Sequence, residues 1–130
     1  MRHEISIHNK KLFIIILFLF TAIYYLPIIN LPLAPYDEAV ILVSAEKILN
    51  RQIPHKDFSS EYPLGQISML AALFKVFGVS VMTERVYDIV IKSFLSLSIF
   101  LLIRFFASTA TALVGWVMSL VWLQHSSYPA

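Results

Sequence analysis

The hydrophobic positions along the chain fall into long uninterrupted runs and shorter amphipathic ones. From Leu12 to Ile29 there is no charged side chain, and a run of that length at 1.5 Å per residue crosses a hydrocarbon core of about 30 Å. It exceeds the usual apolar stretch of a signal peptide, about 7 to 15 residues, and no small-x-small cleavage site follows it. Residues 12–30 therefore read as a first transmembrane helix. Residues 86–106 form a second run of spanning length, carrying Asp88 and Lys92 in its first third and Arg104 near its end. Residues 107–124 are uncharged and form a third, with Ala107, Ala110, Ala112 and Gly115 suited to close helix packing.

Between the first two runs the periodicity changes. The prolines of Leu31-Pro32-Leu33-Ala34-Pro35 stop the first helix, because each lacks an amide donor and restricts the residue before it. From Asp37 onward Ile41, Leu42, Ala45, Ile48 and Leu49 recur at helical spacing, opposite Ser44, Glu46, Lys47 and Asn50. Residues 51–61 then read as a polar loop with turn chemistry at its proline and serines. After Tyr62-Pro63, a second stripe of Ile67, Leu70, Ala71, Phe74 and Phe77 runs to Gly78. Both stripes are short for a span and both carry polar positions, so they predict helices lying on the membrane surface.

The predicted fold is thus an all-α integral membrane protein, with about three transmembrane helices and two interfacial juxtamembrane helices, 38–50 and 64–77. Arg2, Lys10 and Lys11 precede the first span, which by the positive-inside tendency puts residues 1–11 in the cytoplasm. The loop 31–85 and residues 125–130 then lie on the outer face of the cell membrane, with Arg104 at the inner turn.

Composition sharpens this picture. With 58% hydrophobic and 14% charged side chains in 130 residues and a mean hydropathy of +0.76, the chain has more apolar surface than a soluble core of its size can bury. Its net charge of +2 contains no basic block to track a phosphate backbone, which argues against nucleic-acid binding. The absence of cysteine excludes disulfides, thiolate nucleophiles and Cys-ligated metals. His3, His8, His55 and His125 lack the close spacing of a zinc site. The sequence stops just after a hydrophobic run, which suggests the N-terminal part of something longer.

The one dense group of ionisable residues holds Asp37, Glu38, Glu46, Asp57 and Glu61 beside Lys47, Arg51, His55 and Lys56. Asp37-Glu38 follows a proline-rich exit that would hold a carboxylate at a fixed height above the bilayer, where a base can take a proton from a hydroxyl acceptor. The pair is equally readable as an N-cap with an acidic first-turn residue favoured by the helix dipole, and the two roles are compatible. Arg51, His55 and Lys56 suit a lipid-linked phosphate near the headgroups, or ordinary attraction to anionic membrane lipids. Arg85, Asp88 and Lys92, three and four apart, share a helix face and can partly neutralise one another. Asp88 and Lys92 read more readily as a structural pair than as a proton relay.

Tyr36-Asp37-Glu38-Ala39, Ile53-Pro54-His55-Lys56-Asp57-Phe58, Glu61-Tyr62-Pro63-Leu64-Gly65 and Leu73-Phe74-Lys75-Val76-Phe77-Gly78 before Arg85 occur in an informative order. Together they resemble the N-terminal part of GT-C glycosyltransferases of the protein O-mannosyltransferase and aminoarabinose-transferase type, over about residues 10–128. The resemblance implies transfer of a sugar from a polyprenyl-phosphate donor to an acceptor on the outer face. Asp37 would be the catalytic base, Glu38 its neighbour in the site, and Arg85 a residue near the donor phosphate. His55 stands where that family often has tyrosine and Leu64 where it often has a second proline, which leaves the substrate class open. The resemblance implies no definite cofactor and leaves room for a divalent cation; it also implies further spans and donor-binding loops, so that this stretch alone would be inactive. The competing readings are a non-catalytic membrane subunit or remnant and, with less in its favour, a piece of a transporter, for which only Asp88 and Lys92 approach the required membrane depth.

Overall fold

A computed structural model describes residues 2–32 and 37–125, with side chains at 10–32 and 38–124. Every regular element among the described residues is helical: α1 (Arg2–Tyr25), a 3₁₀ segment (Leu26–Asn30), α2 (Asp37–Leu49), α3 (Leu64–Phe77), α4 (Val81–Phe106) and α5 (Thr109–His125). Two stretches, Lys10–Asn30 and Val81–Phe106, are long and apolar enough to cross a membrane, whereas α3 and α5 are shorter apolar helices. The chain divides into two compact units, one formed by Met1–Pro27 and Ile89–Ala130 and the other by Ile28–Asp88.

In the first unit α1 packs against both α4 and α5. Phe13 meets Phe100 and Phe18 meets Phe94, with ring centroids 5.9 and 5.0 Å apart. The Lys92 ammonium lies 5.9 Å from the centre of the Tyr25 ring, a cation–π arrangement that eases the cost of a charge on an apolar helix. Along α5 the contact with α1 is a polar ladder. Trp116 Nε1 donates to Thr21 Oγ1 at 3.1 Å, Tyr25 Oη donates to the Leu120 carbonyl at 3.1 Å, and Tyr24 Oη donates to Gln124 Oε1. Trp116, Leu120 and Gln124 are each one turn apart, so a single face of α5 carries every rung. Gly115 lets α5 approach α4 closely, since a Cβ there would collide with the Ile103 side chain.

The second unit is built on α2 and α3. Ile41 and Ala45 pack against Ile67, Leu70, Ala71 and Phe74, with Leu42, Ile48, Leu49, Tyr62 and Tyr87 around them. These are the stripes predicted from the 3.6-residue period, apart from Phe77, which is exposed along with Met69 and Val76. That exposure has a geometric cause: α3 is apolar on more than one side, and α2 covers only one of them. α2 ends in a Schellman motif, in which Gln52 N donates to the Lys47 carbonyl at 3.0 Å and Arg51 N to that of Ile48 at 2.9 Å. The motif puts Arg51 in the left-handed region, at φ 66°, where glycine is the usual occupant.

Three boundaries differ from those predicted. The first helix leaves α geometry at Tyr25, because Pro27 cannot donate and its ring clashes with the carbonyl four residues back. α4 begins at Val81 instead of 86, where Ser80 Oγ accepts the Thr83 amide at 3.1 Å as an N-cap. α5 starts at Thr109 by the same device, Ser108 Oγ accepting the Thr111 amide at 3.2 Å, while Arg104 closes the end of α4 by donating to the Ala107 carbonyl.

Candidate functional site

The site lies within the Ile28–Asp88 unit and is organised by one arginine. Ser80 starts α4 so that Glu84 and Arg85 fall in its first turns, and both are buried. Arg85 Nε donates to Glu38 Oε1 at 2.6 Å and Nη2 to Oε2 at 3.1 Å, a bidentate pair across 47 residues of sequence. The same guanidinium donates through Nη1 to the carbonyls of Ile29 (2.8 Å) and Leu31 (2.7 Å), and through Nη2 to that of Pro32 (3.4 Å). These five bonds use all five N–H groups of the side chain.

The physical need for this clamp comes from the prolines. The 3₁₀ segment ends at Asn30, and the carbonyls at and just past its end, those of Ile29, Leu31 and Pro32 among them, need donors from elsewhere in the chain. A planar, permanently charged fork satisfies three of them and a carboxylate together, which an ammonium cannot do. Arg85 and Glu38 side chains are only 8% and 14% exposed, so the pair operates in a poorly solvated setting where geometry decides its worth.

Glu84, beside Arg85, is buried as well, 8% exposed. It lies in the first turn of Val81–Phe106, one of the two stretches long and apolar enough to cross a membrane.

The other sequence-predicted residues are distributed as follows. Asp37 opens α2, immediately before Glu38; its side chain lies outside the described residues, as do the side chains of His3, His8 and His125. Arg51, His55 and Lys56 are exposed on the loop after α2. That loop is tightly closed: Asp57 Oδ2 accepts the Ile53 amide at 2.7 Å, His55 N donates to the Phe58 carbonyl at 2.8 Å, and Asp57 N donates to the Ile53 carbonyl at 2.8 Å. His55 has φ 64°, and Lys47 holds Phe58 from below with its ammonium 5.1 Å from the ring centre. Asp57 therefore serves loop closure. No group of three or more His, Asp or Glu side chains among the described residues could hold a metal ion.

Two features escaped sequence reading. Glu84 was hidden beside the more conspicuous Arg85, although Ser80-Val81-Met82-Thr83 is a legible cap that sets both in the first turns of a helix. The sequence offers Asp88 and Lys92 as companions of Arg85 on its own helix, and gives no sign of the bidentate partner Glu38 on α2. No family model, curated protein or solved structure matches the chain.

Proposed function

We propose that this chain is part of a membrane glycosyltransferase that moves a sugar from a polyprenyl-phosphate donor to an acceptor on the outer face of the cell membrane. The observation that carries the proposal is the bidentate Arg85–Glu38 pair. The resemblance rests on an Asp-Glu pair after the first span and an arginine before the second, residues far apart in sequence, and here one of the two acids and that arginine are in contact. A second support is the compactness of Ile28–Asp88 as a unit, since this range nearly coincides with the loop 31–85 assigned to the outer face. The exposed apolar side chains Met69, Val76 and Phe77 of α3 suit a helix resting in the interfacial layer.

In the proposed reaction Asp37 accepts the proton of the acceptor hydroxyl as its oxygen bonds to the anomeric carbon. The bond from that carbon to the lipid phosphate breaks, and the phosphate leaves with the electron pair. A positioned base supplies about 10² to 10⁴ in rate. Arg85 has its N–H groups committed to Glu38 and to backbone, so its part is to fix the turn that carries Asp37 and Glu38, and the donor phosphate is assigned to Arg51, His55 and Lys56. In the topology proposed here residues 12–30, 86–106 and 107–124 span the membrane and the N-terminus is cytoplasmic.

A second reading, a non-catalytic membrane subunit, is favoured by the same clamp, because an arginine fully occupied with backbone and carboxylate is sufficient as a structural device. Membranes containing the full-length protein, supplied with radiolabelled polyprenyl-phosphate sugars and a crude acceptor fraction, separate the two. Label passing into acceptor only when the protein is present supports the transferase; no transfer above protein-free membranes with any donor supports the subunit.

A further inference from the structure

In the first unit, the register of α1 against α4 brings basic side chains together at one end. Phe13 meets Phe100 and Phe18 meets Phe94, so the two helices run in opposite directions. Lys10 lies three residues before Phe13, and Arg104 four residues after Phe100. These steps are about 4.5 and 6 Å toward the same end, and each is close to one turn, so both residues continue the faces that meet at the phenylalanines. Lys11, about 200° round α1 from Phe13, faces the other way. All three cations are exposed. Arg104 donates one bond, from Nη1 to the Ala107 carbonyl at 3.2 Å, and among the described residues no carboxylate pairs with Lys10, Lys11 or Arg104. The sequence of this unit holds a single acid, Glu4, against Arg2, Lys10, Lys11, Lys92 and Arg104. Glu4 is about 9 Å farther along α1 than Lys10.

We infer that Lys10 and Arg104 form a binding site for the phosphate of an anionic phospholipid, whose acyl chains leave over Phe13. Lysine supplies a point charge from α1 and arginine a planar fork from α4, so the phosphate is held from two sides. Phe13, one turn deeper and 38% exposed, offers apolar surface where the chains begin. A zwitterionic headgroup carries its own ammonium, which two cations repel, so the site selects lipids with net negative charge. Diffuse attraction of basic residues to a membrane surface treats Lys10, Lys11 and Arg104 alike, whereas a site built between α1 and α4 uses Lys10 and Arg104 and leaves Lys11 aside. The inference rests on α1 and α4 spanning the membrane, as in the topology proposed above, and is independent of sugar transfer.

The test is native mass spectrometry of the full chain released from nanodiscs of phosphatidylcholine and phosphatidylglycerol in equal amounts. The wild type should retain phosphatidylglycerol in preference to phosphatidylcholine. Lys10→Gln and Arg104→Gln should each lower that preference about fivefold, the change that about 1 kcal/mol per cation near an anionic surface produces. Lys11→Gln, which removes the same charge at nearly the same height on the other side of α1, should leave it almost unchanged. Equal losses in all three variants would mark a diffuse basic collar and overturn the inference, as would a wild type without preference. Loss of the preference when inorganic phosphate replaces chloride at equal ionic strength would mark a site for free phosphate, and also overturns it. The side of the N-terminus is read separately by thiol labelling of His3→Cys in sealed vesicles, clean in a chain without cysteine. Both nanodisc leaflets carry the same lipids, so an outer N-terminus would remove the proposed topology while the lipid site stands on its own result.

Discussion

Removing the Arg85 guanidinium is the perturbation from which most is to be learned about this fold. Arg85→Met keeps much of the apolar stem and deletes all five hydrogen bonds, leaving the Glu38 carboxylate beside Glu84 and three backbone carbonyls without their donor. Breaking a buried pair from one side costs about 3 to 5 kcal/mol, because the remaining charge stays uncompensated. Glu38→Gln alone removes the charge but keeps an acceptor, and should cost about 2 kcal/mol or less. The double variant should cost well below the sum, with a coupling energy of about 2 to 4 kcal/mol, as for charges in close, poorly solvated contact. Hydrogen exchange of amides in the first two turns of α2, measured for wild type, both single variants and the double variant in nanodiscs, gives the local opening free energies needed for the cycle. A coupling below about 1 kcal/mol, the range of exposed pairs, would refute the clamp as the element that fixes the start of α2.

Other consequences follow from the same unit. Phe74, buried between α2 and α3, should cost about 3 to 5 kcal/mol when changed to Ala, read as earlier thermal loss of protection in both helices, with α1 and α5 unaffected. Arg51→Gly relieves the left-handed strain at φ 66° and should stabilise the end of α2 by about 0.5 to 1 kcal/mol, visible as slower exchange at Asn50 and Gln52; faster exchange would show that the Schellman geometry does not limit it.

Much of the fold was legible because two periodicities dominate it. The α2 and α3 stripes are set by apolar spacing that tertiary contacts then follow, and Ile41, Ala45, Ile67, Leu70, Ala71 and Phe74 all end up inside. Boundaries were less legible where a polar cap competes with an apolar run: Ser80 and Ser108 decide where α4 and α5 begin, and hydropathy does not register a hydroxyl. Pro27 was masked by the apolar residues around it. At the site, Glu38 and Arg85 were identifiable singly, since one follows a proline-rich exit and the other precedes a span. Their pairing was not, because ion pairs at helical spacing are local and this one closes a long loop. Nor was the Tyr25–Leu120 rung of the α1–α5 ladder, in which a hydroxyl reaches a backbone carbonyl that no sequence pattern marks.

The most direct test of the central claim is Asp37→Asn in the full-length protein, reconstituted in vesicles with a labelled polyprenyl-phosphate sugar and its acceptor. The change preserves size and the capacity to cap α2 while removing the base. The account predicts a loss of transfer of about 10² or more, with hydrogen exchange at Glu38 and the rest of α2 unchanged because the Arg85 clamp is intact. Near-normal transfer by Asp37→Asn would contradict it.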